Sequence, residues 1–243
     1  MRTLRLFTPE ALKIDNRVCL DKSAVHYLHR VLRASVGQPI VLFNGQGGEY
    51  SGLIDKLTKH DAEILIRDFR AEQRESNLQI HLGIGLSRGD KMDWIVQKAT
   101  ELGVAKITPL FTERTEVKLS GDRLDKRQQH WQQVAISACE QCQRNLVPIV
   151  GSAEPIGLWI DRTIATSKVV LHHRSVRTLT ELSSPNGDLT LLIGPEGGLS
   201  DAEISLAEKK DFQAVRLGPR VLRTETAPLA AISIAQALWG DMS

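Results

Sequence analysis

The sequence predicts an α/β protein in which a small β-rich module precedes a parallel α/β domain. Strand-like runs separated by turns fill residues 1–72, and strands alternate with helices over residues 73–243. A polar, charged run at residues 70–77 lies between these two regions and is typical of a linker. Apolar residues make up 42% of the 243-residue chain, which suffices for a buried core.

Composition excludes several classes of protein. The net charge is only +2, so a nucleic-acid partner would have to be held by a local basic patch. Three cysteines cannot build a disulfide framework. The first seven residues lack the apolar core of a signal peptide, and no stretch reaches the ~18 apolar residues of a membrane span. We therefore expect a soluble, cytoplasmic protein with no membrane partner.

The first module is predicted to contain short strands and one helix. A glycine-rich turn at residues 44–48 separates two of the strands. The helix is predicted near Lys22–Leu32, and the strands at residues 17–20, 39–43, 50–54 and 62–66.

The second domain begins with a strand at residues 78–86. A helix follows over Met92–Leu102, because apolar residues recur there at helical spacing between Asp90 and Gly103 as caps. A long helix is predicted at Leu124–Arg144 and a last one at Pro228–Trp239. The remaining strands are predicted at residues 107–111, 147–150, 168–172, 189–193 and 214–217.

A glycine-rich run from Gly83 to Gly89 leaves the first of these strands and enters a helix. Its spacing, G-x-G-x-x-x-G, is one residue longer than the dinucleotide-binding fingerprint, and Gly83 falls inside the strand. Two interpretations follow: the cofactor loop of a nicotinamide dehydrogenase, or small residues at a strand–helix corner. The spacing favours the second.

Two short motifs invite comparison with metal or thiol sites. Cys139 and Cys142 form one C-x-x-C near the end of a long helix, whereas a redox pair needs a helix N-terminus and a structural zinc needs four ligands. We interpret them as buried thiols. His172 and His173 end a predicted strand without a carboxylate partner nearby, so we expect no metal site.

The most informative segment spans residues 191–204. A buried strand runs into a turn of three glycines and a proline, and a helix begins directly afterwards. Ser200 and Glu203 match a capping box, and Leu199 with Ile204 matches a hydrophobic staple. Such glycines let backbone groups approach a ligand closely, while the lack of a following Gly-Lys-Ser/Thr excludes a phosphate loop.

A second segment, residues 217–228, also leaves a strand and enters a helix. Both segments lie at the carboxyl ends of parallel strands, where open α/β sheets bind ligands. Polar residues from Arg223 to Thr226 stand directly before a very apolar helix, which is unfavourable unless they serve a ligand or an interface.

Ile193-Gly194-Pro195-Glu196-Gly197-Gly198 and residues 217–227 together resemble the signature of SPOUT-class RNA methyltransferases. More narrowly they resemble the RsmE family, which methylates N3 of uridine 1498 in 16S ribosomal RNA. Residues 29–33, 87–92, 97–104 and 138–145 resemble the same family, so the likeness covers almost the whole chain. It implies a PUA-like RNA-binding barrel over residues 1–72 and a SPOUT domain with a deep trefoil knot over residues 73–243. It also implies S-adenosylmethionine as methyl donor, and a homodimer.

The resemblance implies a cofactor pocket built from both glycine-rich segments and one earlier strand end. Its residues are Leu171, Ile193, Gly194, Pro195, Glu196, Gly197, Gly198, Leu217, Gly218, Val221, Leu222 and Thr226. Methylation of N3 requires loss of its proton and stabilisation of negative charge on the base. We assign these roles to Glu225 and Arg223 as the catalytic pair. Glu140 or Glu196 could replace the first, and a purely structural Arg223–Glu225 pair is the alternative.

We expect RNA to be bound by exposed cations. Residues 22–48 contain five basic or histidine side chains and no acidic one. Such cations contact phosphates and supply affinity rather than sequence choice, although a merely solvated basic face is the alternative. The predicted RNA-binding residues are Arg30, Arg33, Arg88, Lys91 and Arg144, with Arg114 extending the surface, and Tyr27 and Phe43 are candidates for base stacking. The partner would be 16S rRNA or the assembled small subunit.

Three other functions remain open: methylation of a ribose or another base, nicotinamide-dependent dehydrogenation through the Gly83–Gly89 run, and RNA binding without catalysis. The oligomeric state also has two explanations. The last helix is apolar on every face, which predicts burial on two sides. Either a homodimer forms through residues such as Ile232, or the helix is buried within one protomer under a helix such as Leu124–Arg144.

Overall fold

The computed structural model describes residues 4–117 and 119–242, which form two compact units. One unit combines the described residues up to Glu75 with Cys139–Val147, and the other combines Ser76–Ala138 with the described residues from Pro148 onward. The first unit therefore extends three residues beyond the predicted boundary at residue 72 and takes a second segment from the end of a long helix.

The first unit contains a five-stranded sheet in the order β1-β3-β4-β5-β2. β1 and β3 pair in parallel, and the other neighbours pair antiparallel. Side chains such as Leu42, Ile54 and Ile64 are fully buried in its core. Sequence patterning missed the first strand and placed the others correctly. The strands are β1 (Leu4–Phe7), β2 (Arg17–Cys19), β3 (Pro39–Phe43), β4 (Glu49–Leu57) and β5 (Ala62–Arg70).

The predicted helix at Lys22–Leu32 divides into two parts. Helix α1 spans Lys22–His26, capped by the Asp21 side chain, which accepts a hydrogen bond from the Ala24 amide at 2.8 Å. A π-helical turn at Tyr27–Val31 continues it. Arg33 follows with a φ of +49°, which ends the helical segment and turns the chain away.

The predicted linker is anchored by charge pairs rather than solvated along its length. Glu75 lies 2.7 Å from the Arg144 guanidinium, and both side chains are almost fully buried. Arg5 forms a second buried pair with Glu49, also at 2.7 Å, and donates to the Arg144 carbonyl oxygen. These contacts explain why Cys139–Val147 belongs to the first unit.

The second unit contains a parallel sheet in the order β12-β10-β11-β6-β7-β8, with β9 paired to β7. This confirms the predicted parallel α/β domain. The inner strands β6 and β11 are buried almost continuously, as expected for a sheet covered by helices on both faces. The strands are β6 (Gln79–Gly85), β7 (Val104–Phe111), β8 (Ile149–Val150), β9 (Glu154–Pro155), β10 (Ser167–Leu171), β11 (Asp188–Ile193) and β12 (Gln213–Val215).

Among the described residues, five α-helices accompany this sheet. The capping box and staple at the start of α5 are confirmed, whereas Asp90 precedes α2 without a side-chain capping bond among the described residues. Across the described residues no helix is long and apolar enough to cross a membrane. The helices are α2 (Lys91–Glu101), α3 (Asp122–Cys142), α4 (Ile156–Arg162), α5 (Asp201–Lys209) and α6 (Thr226–Trp239).

The glycines of the Gly83–Gly89 run serve packing. A Cβ atom at residue 83 would overlap the buried ring of Trp159, and one at residue 85 would overlap Pro195. Gly89 has a φ of +61° and only turns the chain before α2. Because the first two glycines lie inside strand β6, the corner interpretation explains this run and the dehydrogenase interpretation loses its structural basis.

Helix α6 buries one stripe within the protomer. Ala231, Ile232 and Ala235 are fully buried, and the helix packs on α2 and on a short 3-10 turn at Leu179–Glu181. Leu238 is 44% exposed on another face. The packing partner inside the protomer is therefore α2 rather than the predicted long helix α3.

Candidate functional site

A cavity of about 550 Å³ opens at the carboxyl ends of three adjacent strands in the second unit. The loops that line it follow β10, β11 and β12, which are neighbours in the sheet. Its volume lies in the range of about 300–1,000 Å³ that is usual for small-molecule sites. The position is the ligand-binding edge expected for an open parallel sheet.

Most of the predicted cofactor residues lie together around this cavity. Thr226 is the exception, because it begins α6 with an exposed side chain and does not line the cavity. The residues that line the cavity are Leu171, Ile193, Gly194, Pro195, Glu196, Gly197, Gly198, Leu217, Gly218, Val221 and Leu222.

The loop after β11 is held at both ends. The Ser200 amide donates to Glu203 Oε2 at 2.8 Å, and the Glu203 amide donates to Ser200 Oγ at 3.3 Å. Glu203 Oε1 also accepts from the Glu113 amide at 2.8 Å, which ties the turn after β7 to the start of α5. Arg114 in that turn donates to the Gly197 carbonyl oxygen at 2.9 Å. The loop is thus preorganised by contacts on either side.

Two glycines of the cavity adopt conformations that other residues rarely take. Gly198 has a φ of +68° and Gly218 a φ of +85°. A Cβ atom on either would meet no described heavy atom within 4 Å, so the space next to each α-carbon is open. Open space beside a glycine at a pocket wall allows a ligand to approach the backbone closely.

Glu196 is a heavily bonded carboxylate. It accepts a hydrogen bond from Lys91 Nζ at 3.0 Å and one from the Arg88 amide at 3.1 Å. Burial raises the pKa of Glu196, but hydrogen bonds from its own amide, Lys91 and Arg88 outweigh burial and hold the pKa below its ordinary value. Such a carboxylate is a poor proton acceptor near neutral pH.

Glu225 has a different environment. Its Oε2 atom is buried and has no hydrogen-bond partner among the described residues, although Lys91 Nζ lies 3.7 Å away. No ion pair within 4.0 Å joins Glu225 to Arg223 in the described part of the chain, so the purely structural pairing of the two is not observed. Arg223 is exposed and lines the cavity.

Three arginines that sequence reasoning passed over also line the cavity. Arg174 follows β10, while Arg216 and Arg220 follow β12. Their only signal in the sequence was a basic residue shortly after a predicted strand, which is too common to select them. His172 and His173 lie at the same edge, with ring centroids 5.7 Å apart.

The predicted RNA-binding residues are divided between the two units, and one of them is buried. Arg30 and Arg33 are exposed in the first unit. Arg88 is exposed in the second unit and paired with Glu116, and Lys91 is engaged with Glu196. Arg144 corrects the prediction: it is only 6% exposed and is paired with Glu75, so it is not a surface cation.

Of the two aromatic residues predicted to stack on RNA bases, only one is exposed. Phe43 is fully buried, with the Arg5 guanidinium 4.4 Å from its ring centroid, so it cannot stack on a base, whereas Tyr27 is 39% exposed.

Glu140 lies in the first unit, where its carboxylate accepts a hydrogen bond from the Phe7 amide at 3.1 Å and burial raises its pKa. A hydrogen bond with Cys142 and burial raise the pKa of the Cys139 thiol, which is therefore unreactive. No group of potential metal ligands exists among the described residues.

Comparison with known families matches both parts of the chain. Residues 74–236 match a family model described as an RNA methyltransferase domain. Residues 20–67 match one described as an RNA methyltransferase PUA domain.

Relatives of similar length match over nearly the whole chain. A ribosomal RNA small subunit methyltransferase E from Buchnera aphidicola is 37% identical over 243 residues, covering 100% of this chain and 99% of that protein. The enzyme of the same name from Bacillus subtilis is 34% identical, covering 86% and 85%. A solved structure of the Neisseria gonorrhoeae enzyme, bound to S-adenosylmethionine, has 39% identity, complete coverage of both chains and a TM-score of 0.94. A methyltransferase from Legionella pneumophila, solved with the same cofactor, has 38% identity, 99% and 100% coverage, and a TM-score of 0.95.

Proposed function

The chain belongs to the ribosomal RNA small subunit methyltransferase E family, and on that basis we propose that it methylates N3 of uridine 1498 in 16S rRNA, with S-adenosylmethionine as methyl donor. The observation that carries the proposal is the cavity at the carboxyl ends of β10, β11 and β12, which brings both glycine-rich segments together.

The cavity suits the cofactor. When bound, S-adenosylmethionine supplies a methyl group attached to a sulfonium. The N3 lone pair forms a bond to this methyl carbon as the carbon–sulfur bond breaks, which leaves a neutral thioether. The open space beside Gly198 and Gly218 leaves room for its polar groups to reach backbone donors and acceptors. Leu171, Ile193 and Leu222 supply apolar wall for the adenine ring.

The proton on uracil N3 must leave before or as the new bond forms. Glu225 is the proposed acceptor, because its Oε2 atom lacks a hydrogen-bond partner among the described residues while the competing Glu196 is saturated by Lys91 and Arg88. Glu225 does not itself line the cavity, although its neighbours Arg223 and Thr224 do. Arg223 stabilises the negative charge on the uracil oxygens. Lys91 keeps Glu225 from being an isolated buried charge.

The proposal extends to architecture and assembly. The first unit closes into a PUA-like RNA-binding barrel, supported by the matched PUA model, and Arg30 and Arg33 bind RNA phosphates there. The second unit carries a deep trefoil knot, and the protein works as a homodimer through the exposed face of α6. Because its substrate is ribosomal RNA, it acts in the cytoplasm on rRNA or the assembled small subunit.

Two experiments test the function. The methyl group can be located by primer-extension stops on 16S rRNA from cells with and without the protein, with a stop at uridine 1498 expected only where the protein is present. Calorimetric titration of the pure protein with S-adenosylmethionine and with NADH is expected to show binding of the first only.

The outcomes separate the competing functions. A methyl group on a ribose or on another base would assign the chain to a different reaction of the same fold. RNA binding with no methyl transfer would make it a non-catalytic factor. NADH binding without S-adenosylmethionine binding would restore the dehydrogenase interpretation.

A further inference from the structure

The charges around the cavity are strongly unbalanced. Among the described residues, six cationic side chains line the cavity and only two acidic ones do. Lys91 is paired with Glu196, and Arg114 donates to a backbone carbonyl. In the described part of the chain, no acidic oxygen lies within 4.0 Å of the guanidinium of Arg174, Arg216 or Arg220, so none of the three forms an ion pair. We refer to these three residues as the arginine rim.

Hydrogen bonds hold the segments that carry two residues of the arginine rim, Arg174 and Arg216. The His172 amide donates to the Val215 carbonyl at 2.9 Å, and Ser175 Oγ donates to the Ala214 carbonyl at 2.8 Å. The Arg216 amide donates to the Arg177 carbonyl at 2.9 Å. These bonds join the loop after β10 to strand β12 and to the first residue after it, so the backbones that carry Arg174 and Arg216 are fixed relative to each other.

The cofactor does not account for this charge. S-adenosylmethionine carries a sulfonium and an ammonium group against one carboxylate, so a surplus of arginines does not favour its binding. Like charges held at one edge create a positive potential there, which attracts anions. Arginine is the side chain best suited to the oxygen atoms of a phosphate.

We propose that the arginine rim binds backbone phosphates of the target RNA beside the target uridine, and so holds the substrate at the cavity mouth. This rests on the proposed function, because the anion is identified as RNA through it. The same chemistry, an anionic oxygen, is also present in the carboxylate of the cofactor. The test must therefore separate the two sources.

The test uses the single variants Arg174→Gln, Arg216→Gln and Arg220→Gln in the full chain. The RNA probe is a synthetic 16S hairpin containing the target uridine, titrated at several salt concentrations. For each variant we expect RNA affinity about 3- to 10-fold lower and the slope of log K against log salt smaller by about 0.7. Calorimetry with S-adenosylmethionine alone is expected to give wild-type affinity.

Arg177→Gln is the matched control. Arg177 is exposed on the same loop, but its guanidinium donates to Gln213 Oε1 at 3.0 Å and it does not line the cavity. Loss of cofactor affinity with an unchanged RNA slope would assign the rim to the cofactor carboxylate and overturn the proposal. Wild-type slopes in all three variants would also overturn it, leaving the methyltransferase function intact. A wild-type protein whose RNA affinity does not depend on salt would also overturn the rim proposal, whereas the methyltransferase function is decided separately by the primer-extension stop at uridine 1498.

Discussion

The Nζ atom of Lys91 lies 3.7 Å from the Oε2 atom of Glu225. Lys91 is the first residue of α2 and Glu225 directly precedes α6, so this contact joins the starts of the two helices. The same ammonium lies 3.0 Å from Glu196 in the loop after β11. One cation therefore lies close to two carboxylates that differ in how many hydrogen bonds they accept. Glu196 also accepts a hydrogen bond from the Arg88 amide, whereas the buried Oε2 atom of Glu225 accepts no hydrogen bond from any described residue.

Glu225→Gln removes the proposed proton acceptor while preserving the size of the side chain. We expect the single-turnover rate of methyl transfer to fall by about 10²- to 10⁴-fold, with unchanged affinity for S-adenosylmethionine. Glu196→Gln is the control, and its loss of rate should be much smaller because that carboxylate serves Lys91 and the Arg88 amide. A Glu225→Gln enzyme with the wild-type rate would remove Glu225 from the mechanism.

Gly218→Val places a side chain in the open space at the cavity wall, at a φ of +85° that valine adopts poorly. We expect calorimetry to show no measurable binding of S-adenosylmethionine. Gly187→Val is the matched control, since Gly187 has a φ of +89°, equally open surroundings and a position outside the cavity lining. Both variants should lose similar stability, so cofactor loss in both would indicate general damage rather than a filled site.

Replacement of Arg30 and Arg33 by alanine should weaken RNA binding without altering cofactor binding. Two lost phosphate contacts predict a slope of log K against log salt that is smaller by about 1.4. The double variant Lys59→Ala with Arg67→Ala removes two exposed cations from β5 and the turn before it, and is expected to leave the slope unchanged. An unaltered slope in the Arg30 and Arg33 variant would place the RNA elsewhere.

His81 makes the second unit sensitive to acid. Burial lowers the pKa of His81 to about 4, and the charges of Lys106 and Arg162 add to the shift. A histidine in the unfolded chain titrates near pH 6.5, so above about pH 6.5 His81 does not make the free energy of unfolding depend on pH. Between about pH 6.5 and pH 4 the unfolded chain takes up the proton first, and stability falls by at most about 3 kcal/mol.

His81→Gln tests this effect. Urea unfolding at several pH values should show a flatter decline between pH 6.5 and pH 4 than in the wild type. The variant should also be less stable at neutral pH, because the ring contacts Trp159 and bonds Thr108 Oγ1 at 2.8 Å. Parallel pH profiles for the two proteins would exclude His81 as the source of acid sensitivity.

The homodimer is best tested on the exposed face of α6. Ile232 is fully buried within the protomer, so an arginine there would unfold the chain whether or not a dimer exists. Leu238 is 44% exposed, and Leu238→Arg is expected to yield a folded monomer in sedimentation experiments with reduced methyl transfer. A wild-type protein that sediments as a fully active monomer would contradict the dimer.

The sequence predicted features that depend on neighbouring residues. The capping box of Ser200 and Glu203 and the periodicity of α2 involve side chains three or four positions apart, and both are observed. Both glycine-rich segments could be placed at one edge because parallel strands end there. For the same reason the location of the cavity was predictable before the structure.

Features that depend on distant partners could not be predicted. Arg144 looked like a surface cation because nothing local revealed that Glu75, 69 residues away, would bury and neutralise it. Lys91 meets Glu196 from 105 residues away, and that pairing favours Glu225 over Glu196 as proton acceptor. The apolar composition of α6 likewise did not reveal which stripe would face α2.

The order of strands in the second unit has a consequence for synthesis of the chain. Strand β6 pairs with β11 along its length, from Gln79 with Asp188 to Ile84 with Ile193. One edge of this central strand therefore pairs only with a segment that lies more than one hundred residues later in the chain. A nascent chain on the ribosome therefore exposes an unpaired, apolar strand edge until the glycine-rich loop has been translated. Such long-range pairing slows folding, and the cavity can form only as one of the last events of biogenesis.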